Sequence, residues 1–163
     1  MIKVNIEYKF ALVLILDETP DIDTPEGLTA IEKSHITLIG GKALKDHKDT
    51  LKPHKGLIEV DGIPDIKFGR TGQATRAMEI NGTLESRKTF FVEVTNHDEL
   101  RTFVSELCMK LGMINPEPNR FYHLSLANNH GGNPFKSVGD ISTDDLVDAK
   151  SNLPMEDIDL LNE

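Results

Sequence analysis

Ser34-His35-Ile36-Thr37-Leu38 and Tyr122-His123-Leu124-Ser125-Leu126 are the two stretches on which the reading of this chain turns. Each sets a histidine two residues ahead of a hydroxyl residue, with apolar residues between and after them. A strand repeats every two residues, so each imidazole and its hydroxyl share one side. The histidines stand 88 residues apart. Two copies of one pattern predict a single cleft lined by two imidazoles and two hydroxyls. Unperturbed histidine titrates near pH 6.5, so one ring can take a proton while the other gives one. Cleavage of a phosphate ester needs both transfers.

Outward from the first motif, the apolar run 10–16 reads as a buried strand and is too short to span a bilayer. Residues 17–32 form a polar loop with Pro20, Pro25 and Gly27 that delivers the chain into the motif. Gly40-Gly41 ends that strand, and the spacing of Leu44, His47 and Leu51 predicts a helix over 42–51, stopped by Pro53. Strands are expected at 57–60 and 66–68, a turn at 69–73, and further strands at 74–80 and 89–95. Asn81-Gly82 marks a reversal between the last two, with an intervening segment longer than a two-residue hairpin.

Leu100, Phe103, Val104, Leu107 and Leu111 recur at helical spacing and predict a helix over 97–111. Asn96 is its expected N-cap, Glu99 the matching residue of a capping-box variant, and Gly112 its stop. A loop with Pro116 and Pro118 leads to a strand over 120–126 that carries the second motif. This order predicts an α+β fold of two related lobes with a cleft between them.

Apolar residues are 38% and charged residues 28% of 163, as in a soluble globular domain. The formal net charge is −9, of which −7 falls in residues 140–163 and −2 in residues 1–139. This divides the chain into one catalytic domain, 1–139, and an acidic segment, 140–163. The segment is either a solvated flank or, near 154–161, a helix that packs back. Overall repulsion and the lack of a basic stripe argue against long duplex nucleic acid as a partner, while a small nucleotide in a local pocket is compatible. Lys3, Glu7 and Lys9 interrupt any signal-peptide pattern, no segment reads as a membrane span, and the lone Cys108 fits a reducing compartment. A cytoplasmic location is expected.

The paired His35-Ile36-Thr37 and His123-Leu124-Ser125, each followed by leucine, resemble the HxT/S signatures of the 2H phosphoesterase superfamily over about residues 8–130. The resemblance implies a bilobal fold, two antiparallel-sheet lobes with helices outside and a central cleft. It implies metal-independent hydrolysis of 2′,3′-cyclic phosphates, 2′–5′ linkages or related nucleotides, with no cofactor. The chain is similar to the small phage and virus-associated (anti-CBASS) branch, some members of which degrade cyclic oligonucleotides that serve as antiviral signals. Membership there would place it in the host cytoplasm. RNA-repair-associated 2H domains are another neighbour.

His35, Thr37, His123 and Ser125 are therefore the candidate catalytic residues. The histidines exchange protons with the attacking and leaving oxygens, in roles that sequence leaves interchangeable. Thr37 and Ser125 donate to non-bridging phosphate oxygens. Arg70, Arg76, Arg120 and Lys136 are candidate cations for phosphate, each read first as a surface residue. Tyr8 and Phe10, alternating on the first strand, are candidates to stack a base, with packing the plainer role. Tyr122 belongs to the opposite, core face. His130 lies in Asn128-Asn129-His130-Gly131-Gly132-Asn133, a plain turn or a cleft-rim loop. Glu156 and Asp157 are candidate tail carboxylates. Neither a zinc-binding HExxH nor a close Cys/His set is present, and the glycine pairs match no nucleotide-binding loop. Three functions follow: a phosphodiesterase acting on a cyclic oligonucleotide or an RNA-end cyclic phosphate, a nucleotide-binding sponge without turnover, or an interaction module using its acidic segment.

Overall fold

The computed structural model describes residues 4–32 and 34–146. They form an α+β fold with a large antiparallel sheet and few helices. The chain divides into two compact units that interleave in sequence. Among the described residues, no helix is long and apolar enough to cross a membrane.

The first unit comprises 4–20, 34–68 and 94–124. Its strands are β1 (Val4–Tyr8), β2 (Leu12–Leu16), β4 (His35–Ile39), β5 (Gly56–Ile58) and the start of β8 (His123–Asn128), hydrogen-bonded in the order β5-β1-β2-β4-β8. In β2 the residues are all apolar, yet only Leu12, Leu14 and Leu16 are buried, while Val13 and Ile15 are half-buried on the other face. The run expected over 10–16 begins at Leu12 because Lys9-Phe10-Ala11 is the reversal from β1. There the Lys9 amide donates to the Ala11 carbonyl at 3.3 Å, and Phe10 is 81% exposed. Burying Leu14, Ile36 and Leu124 completely contributes about 1.5–3 kcal/mol each against the entropy of ordering the strands.

Helix α2 (His97–Lys110) follows its apolar spacing closely, burying Leu100, Phe103, Val104, Leu107 and Cys108, and Gly112 ends it at φ +88°. Burial pushes the Cys108 thiol up to about 11, consistent with a packing role. The expected cap is not made. The Asn96 side chain instead accepts from the Lys67 amide at 3.0 Å and donates to the Asp65 carbonyl at 2.7 Å, so the incoming extended segment takes the amide that the helix would have used. Glu99 is exposed. The helix expected over 42–51 shrinks to α1 (Lys48–Leu51) between 3₁₀ turns at Lys45–His47 and Lys52–His54. Leu44 and Leu51 are the buried positions of this stretch, too few contacts to offset the cost of a longer helix. Pro53 sits inside the second turn rather than ending the segment, since a first-turn residue needs no N–H partner.

The second unit comprises 21–32, 69–93 and 125–146 among the described residues. Its main feature is the hairpin of β6 (Phe68–Ile80) and β7 (Thr83–Val94), with β8 beside β7 and β3 (Thr29–Ala30) paired to β8. Two expectations are corrected here. Asn81 (φ 51°) and Gly82 (φ 79°) form a two-residue hairpin, both in the left-handed region, so no longer loop intervenes. The turn expected at 69–73 lies inside β6. Gly72 is strand glycine because a Cβ there would come within 2.8 Å of the Asp145 carbonyl oxygen and against the Phe91 ring. Both α1 and α2 belong to the first unit, and the described part of the second is strands and 3₁₀ turns up to Asp145.

The acidic segment begins packed in this second unit. Ile141 and Leu146 are buried, and Ser142 closes a capping box with Asp145. Residues 147–163, with Glu156, Asp157 and the expected helix over 154–161, lie outside the described residues.

Candidate functional site

The two motifs meet as neighbouring strands. β4 and β8 run antiparallel with Ile36 opposite Leu124, both fully buried. Centred on that pair, each strand carries its histidine one residue earlier and its hydroxyl one residue later, so a local two-fold relates the motifs. Strand alternation then sends His35 and Thr37 to the face opposite Ile36, and His123 and Ser125 to the face opposite Leu124. Thr37 stands across from His123, at a Cβ separation of about 4.5–5.5 Å, and His35 is diagonal to His123, at roughly 7–8 Å.

The rest of that face in the first unit comes from β2 and β1. Val13 pairs with Thr37 and Ile15 with His35, and Glu7 of β1 pairs with Val13. These three side chains, His35 and Thr37 are half-buried, whereas His123 is 8% exposed. Burial lowers the pKa of His35 from its ordinary value, and the Glu7 carboxylate opposes part of that shift. His35 is accordingly biased toward neutral imidazole, the proton-accepting form. The His123 ring lies against Phe121, with centroids 6.2 Å apart and planes 16° from parallel. Neither Glu7 nor Phe121 was singled out from sequence. The signal for Glu7 was its place two residues before Lys9 in an alternating strand; for Phe121 it was the period-two offset from His123.

Tyr122 points the other way, as strand alternation predicts. It is fully buried, its ring is stacked on His97 at the start of α2, and burial pushes its hydroxyl up to about 12. The first residue of the helix therefore packs on the residue that precedes β8.

The remaining candidates fall elsewhere. Tyr8 is buried and Phe10 lies in the exposed β1–β2 reversal, so the two do not alternate on one strand as expected. Arg120 donates from Nε to the Thr37 carbonyl at 3.1 Å and pairs with Glu117 at 3.1 Å, while Glu117 also accepts the Gly40 amide. It ties the end of β4 in place. Arg70 pairs with Glu93 at 3.0 Å. Arg76 pairs with Asp145 at 2.9 Å and Asp140 at 3.3 Å. His130 Nε2 lies 2.9 Å from Glu85. The His130 loop is organised by fully buried Asn128, whose side chain accepts the amides of His130 and Gly132 and donates to the Asn133 carbonyl and Ser137 hydroxyl. Lys136 is exposed. Among the described residues, no three His, Cys, Asp or Glu side chains gather as a metal-ligand set.

No protein-family model, curated protein or solved structure matches this chain.

Proposed function

We propose that this chain is a metal-independent phosphodiesterase with a 2H-type bilobal fold, cleaving small nucleotide phosphodiesters. A cyclic oligonucleotide signal of antiviral defence in a host cytoplasm is its first substrate. The single observation that supports this reading most is the Ile36–Leu124 register, which sets two His-x-hydroxyl motifs side by side with a common face. Two imidazoles on one face supply both proton transfers of in-line displacement. Water adds to phosphorus as neutral His35 takes its proton. The phosphorus–oxygen bond to the leaving ribose breaks as that oxygen takes a proton from His123. Thr37 and Ser125 donate to the non-bridging oxygens, where negative charge grows in the transition state.

The test is turnover of cyclic dinucleotides and of RNA 2′,3′-cyclic phosphates, each in EDTA. Cleavage of the former is expected, with His35→Ala and His123→Ala each losing roughly 10²–10⁴-fold in rate. Turnover of the RNA end alone moves the assignment to an RNA 2′,3′-cyclic phosphodiesterase. Tight binding of the cyclic dinucleotide without product makes the protein a sponge. Activity that survives either alanine substitution overturns the two-histidine mechanism.

A further inference from the structure

We propose that Glu7 is the positioning charge for His35, acting across their shared sheet face to stabilise the imidazolium that forms when His35 accepts a proton. The placement follows from strand register. Glu7 pairs with Val13, Val13 with Thr37, and His35 lies two residues before Thr37 on β4. Residues directly opposite in an antiparallel sheet share a face, so the Glu7 carboxylate and the His35 ring project to the same side. Their Cα atoms are two strand spacings and two residues apart, roughly 12 Å.

Among the described residues on the strands around that gap, Glu7 is the anion that acts on His35. β2, which lies between, presents Val13 and Ile15 and carries no charge there. From β8 the titratable neighbour is His123, and from the β1–β2 reversal it is Lys9. Lys9 Nζ pairs with Glu7 at 3.3 Å, but its side chain is 70% exposed against 20% for Glu7. The ammonium offsets part of the carboxylate's field at His35, since opposite charges 3.3 Å apart act together at longer range. The apolar strip formed by Val13 and Ile15 keeps the effective dielectric below that of bulk water, which lengthens the reach of the field. The direction of the Glu7 effect on His35, upward against the downward pull of burial, agrees with this geometry. Glu7 touches no reacting atom. Its part is that of a carboxylate behind a base, which makes accepting a proton less costly.

The catalytic meaning of this inference rests on the phosphodiesterase reading, so the deciding measurement is made on the ring itself. NMR titration of the His35 imidazole in the full chain, with its signals assigned by their loss in His35→Gln, is compared between wild type, Glu7→Gln and Glu7→Asp. Removing the negative charge disfavours imidazolium, so Glu7→Gln should lower the His35 pKa by about half to one pH unit. Glu7→Asp should recover most of that. In turnover, the acid-side limb of the pH profile should move down with the ring pKa. The plateau rate should fall about two- to fivefold as the base weakens, with KM unchanged. Circular dichroism checks that the variants stay folded. A His35 pKa that is the same in Glu7→Gln as in wild type overturns the inference. So does a shifted pKa with an unshifted rate profile. If wild type cleaves none of the phosphodiesters, the functional reading fails by itself, and the titration still decides whether Glu7 is the charge partner of His35.

Discussion

Replacing Arg120 with alanine separates a structural tie from a substrate-binding cation. The guanidinium side chain is 15% exposed and that of its partner Glu117 28%. Nε donates to the Thr37 carbonyl at 3.1 Å, and one terminal nitrogen reaches both Glu117 oxygens at 3.2 and 3.1 Å. Glu117 also accepts the Gly40 amide, so one residue pair fixes both Thr37 and the residue that follows β4. Hydrogen bonds to charged groups are worth about 1.5–3 kcal/mol when their loss strands a buried partner. Here water reaches part of the Glu117 carboxylate, so Arg120→Ala should cost about 2 kcal/mol in all. For a chain of this length that lowers the melting temperature by about 4–8 °C. Lysine keeps the charge but not the planar fork, so Arg120→Lys should recover only part. Urea and thermal unfolding followed by circular dichroism measure these changes. A double-mutant cycle with Glu117→Ala should return a coupling of about 1 kcal/mol. Unchanged stability together with a raised KM would refute the reasoning and return Arg120 to the list of phosphate-binding cations.

Gly132→Ala should destabilise by at least about 2 kcal/mol, because Gly132 has φ +77° and a Cβ there would run into the Ala30 carbonyl oxygen; a urea midpoint equal to wild type would count against the placement of that loop. The depressed pKa of His35 also predicts a pH dependence of stability. The unfolded chain binds the His35 proton more readily than the folded one, so stability rises with pH in that window. The His35 contribution is complete above about pH 6.5 and drains away as pH falls through the lower folded-state value. His35→Gln should flatten that part of the acid limb in denaturation curves measured between about pH 4 and 8, and an unchanged slope would argue that His35 is not desolvated.

The elements that could be read along the chain are those whose burial is periodic. In α2, five buried residues recur at helical spacing, and its bounds fall within a residue of that spacing. The first histidine strand announces itself by alternation, half-buried at His35 and Thr37 and buried at Ile36 and Leu38, whereas the second is buried at every residue but Ser125 and carries its alternation in residue type alone. Where burial is weak the signal fades. Residues 83–88 of β7 are exposed or half-buried on both sides, so the sequence marks the strand only from Thr89. Gly72 suggested a turn because sequence registers the missing side chain and not the Phe91 ring and Asp145 backbone that require it. Cap chemistry at Asn96 was lost to a segment 29 residues away in sequence.

The same division holds at the site. Sequence by itself determined that His35 shares a face with Thr37, and His123 with Ser125, because strand alternation is a local property of the backbone. It also determined that Tyr122 turns away into the core. Only the tertiary structure decided that Ile36 faces Leu124, which brings the two motifs together, since register between distant strands is set by the packing of their buried residues. It likewise decided that Arg70, Arg76 and Arg120 are engaged by carboxylates, and that Glu7 and Phe121 stand near the two imidazoles. Those are long-range pairings, and a charge or a ring carries no mark in the sequence of the partner that the fold will bring to it.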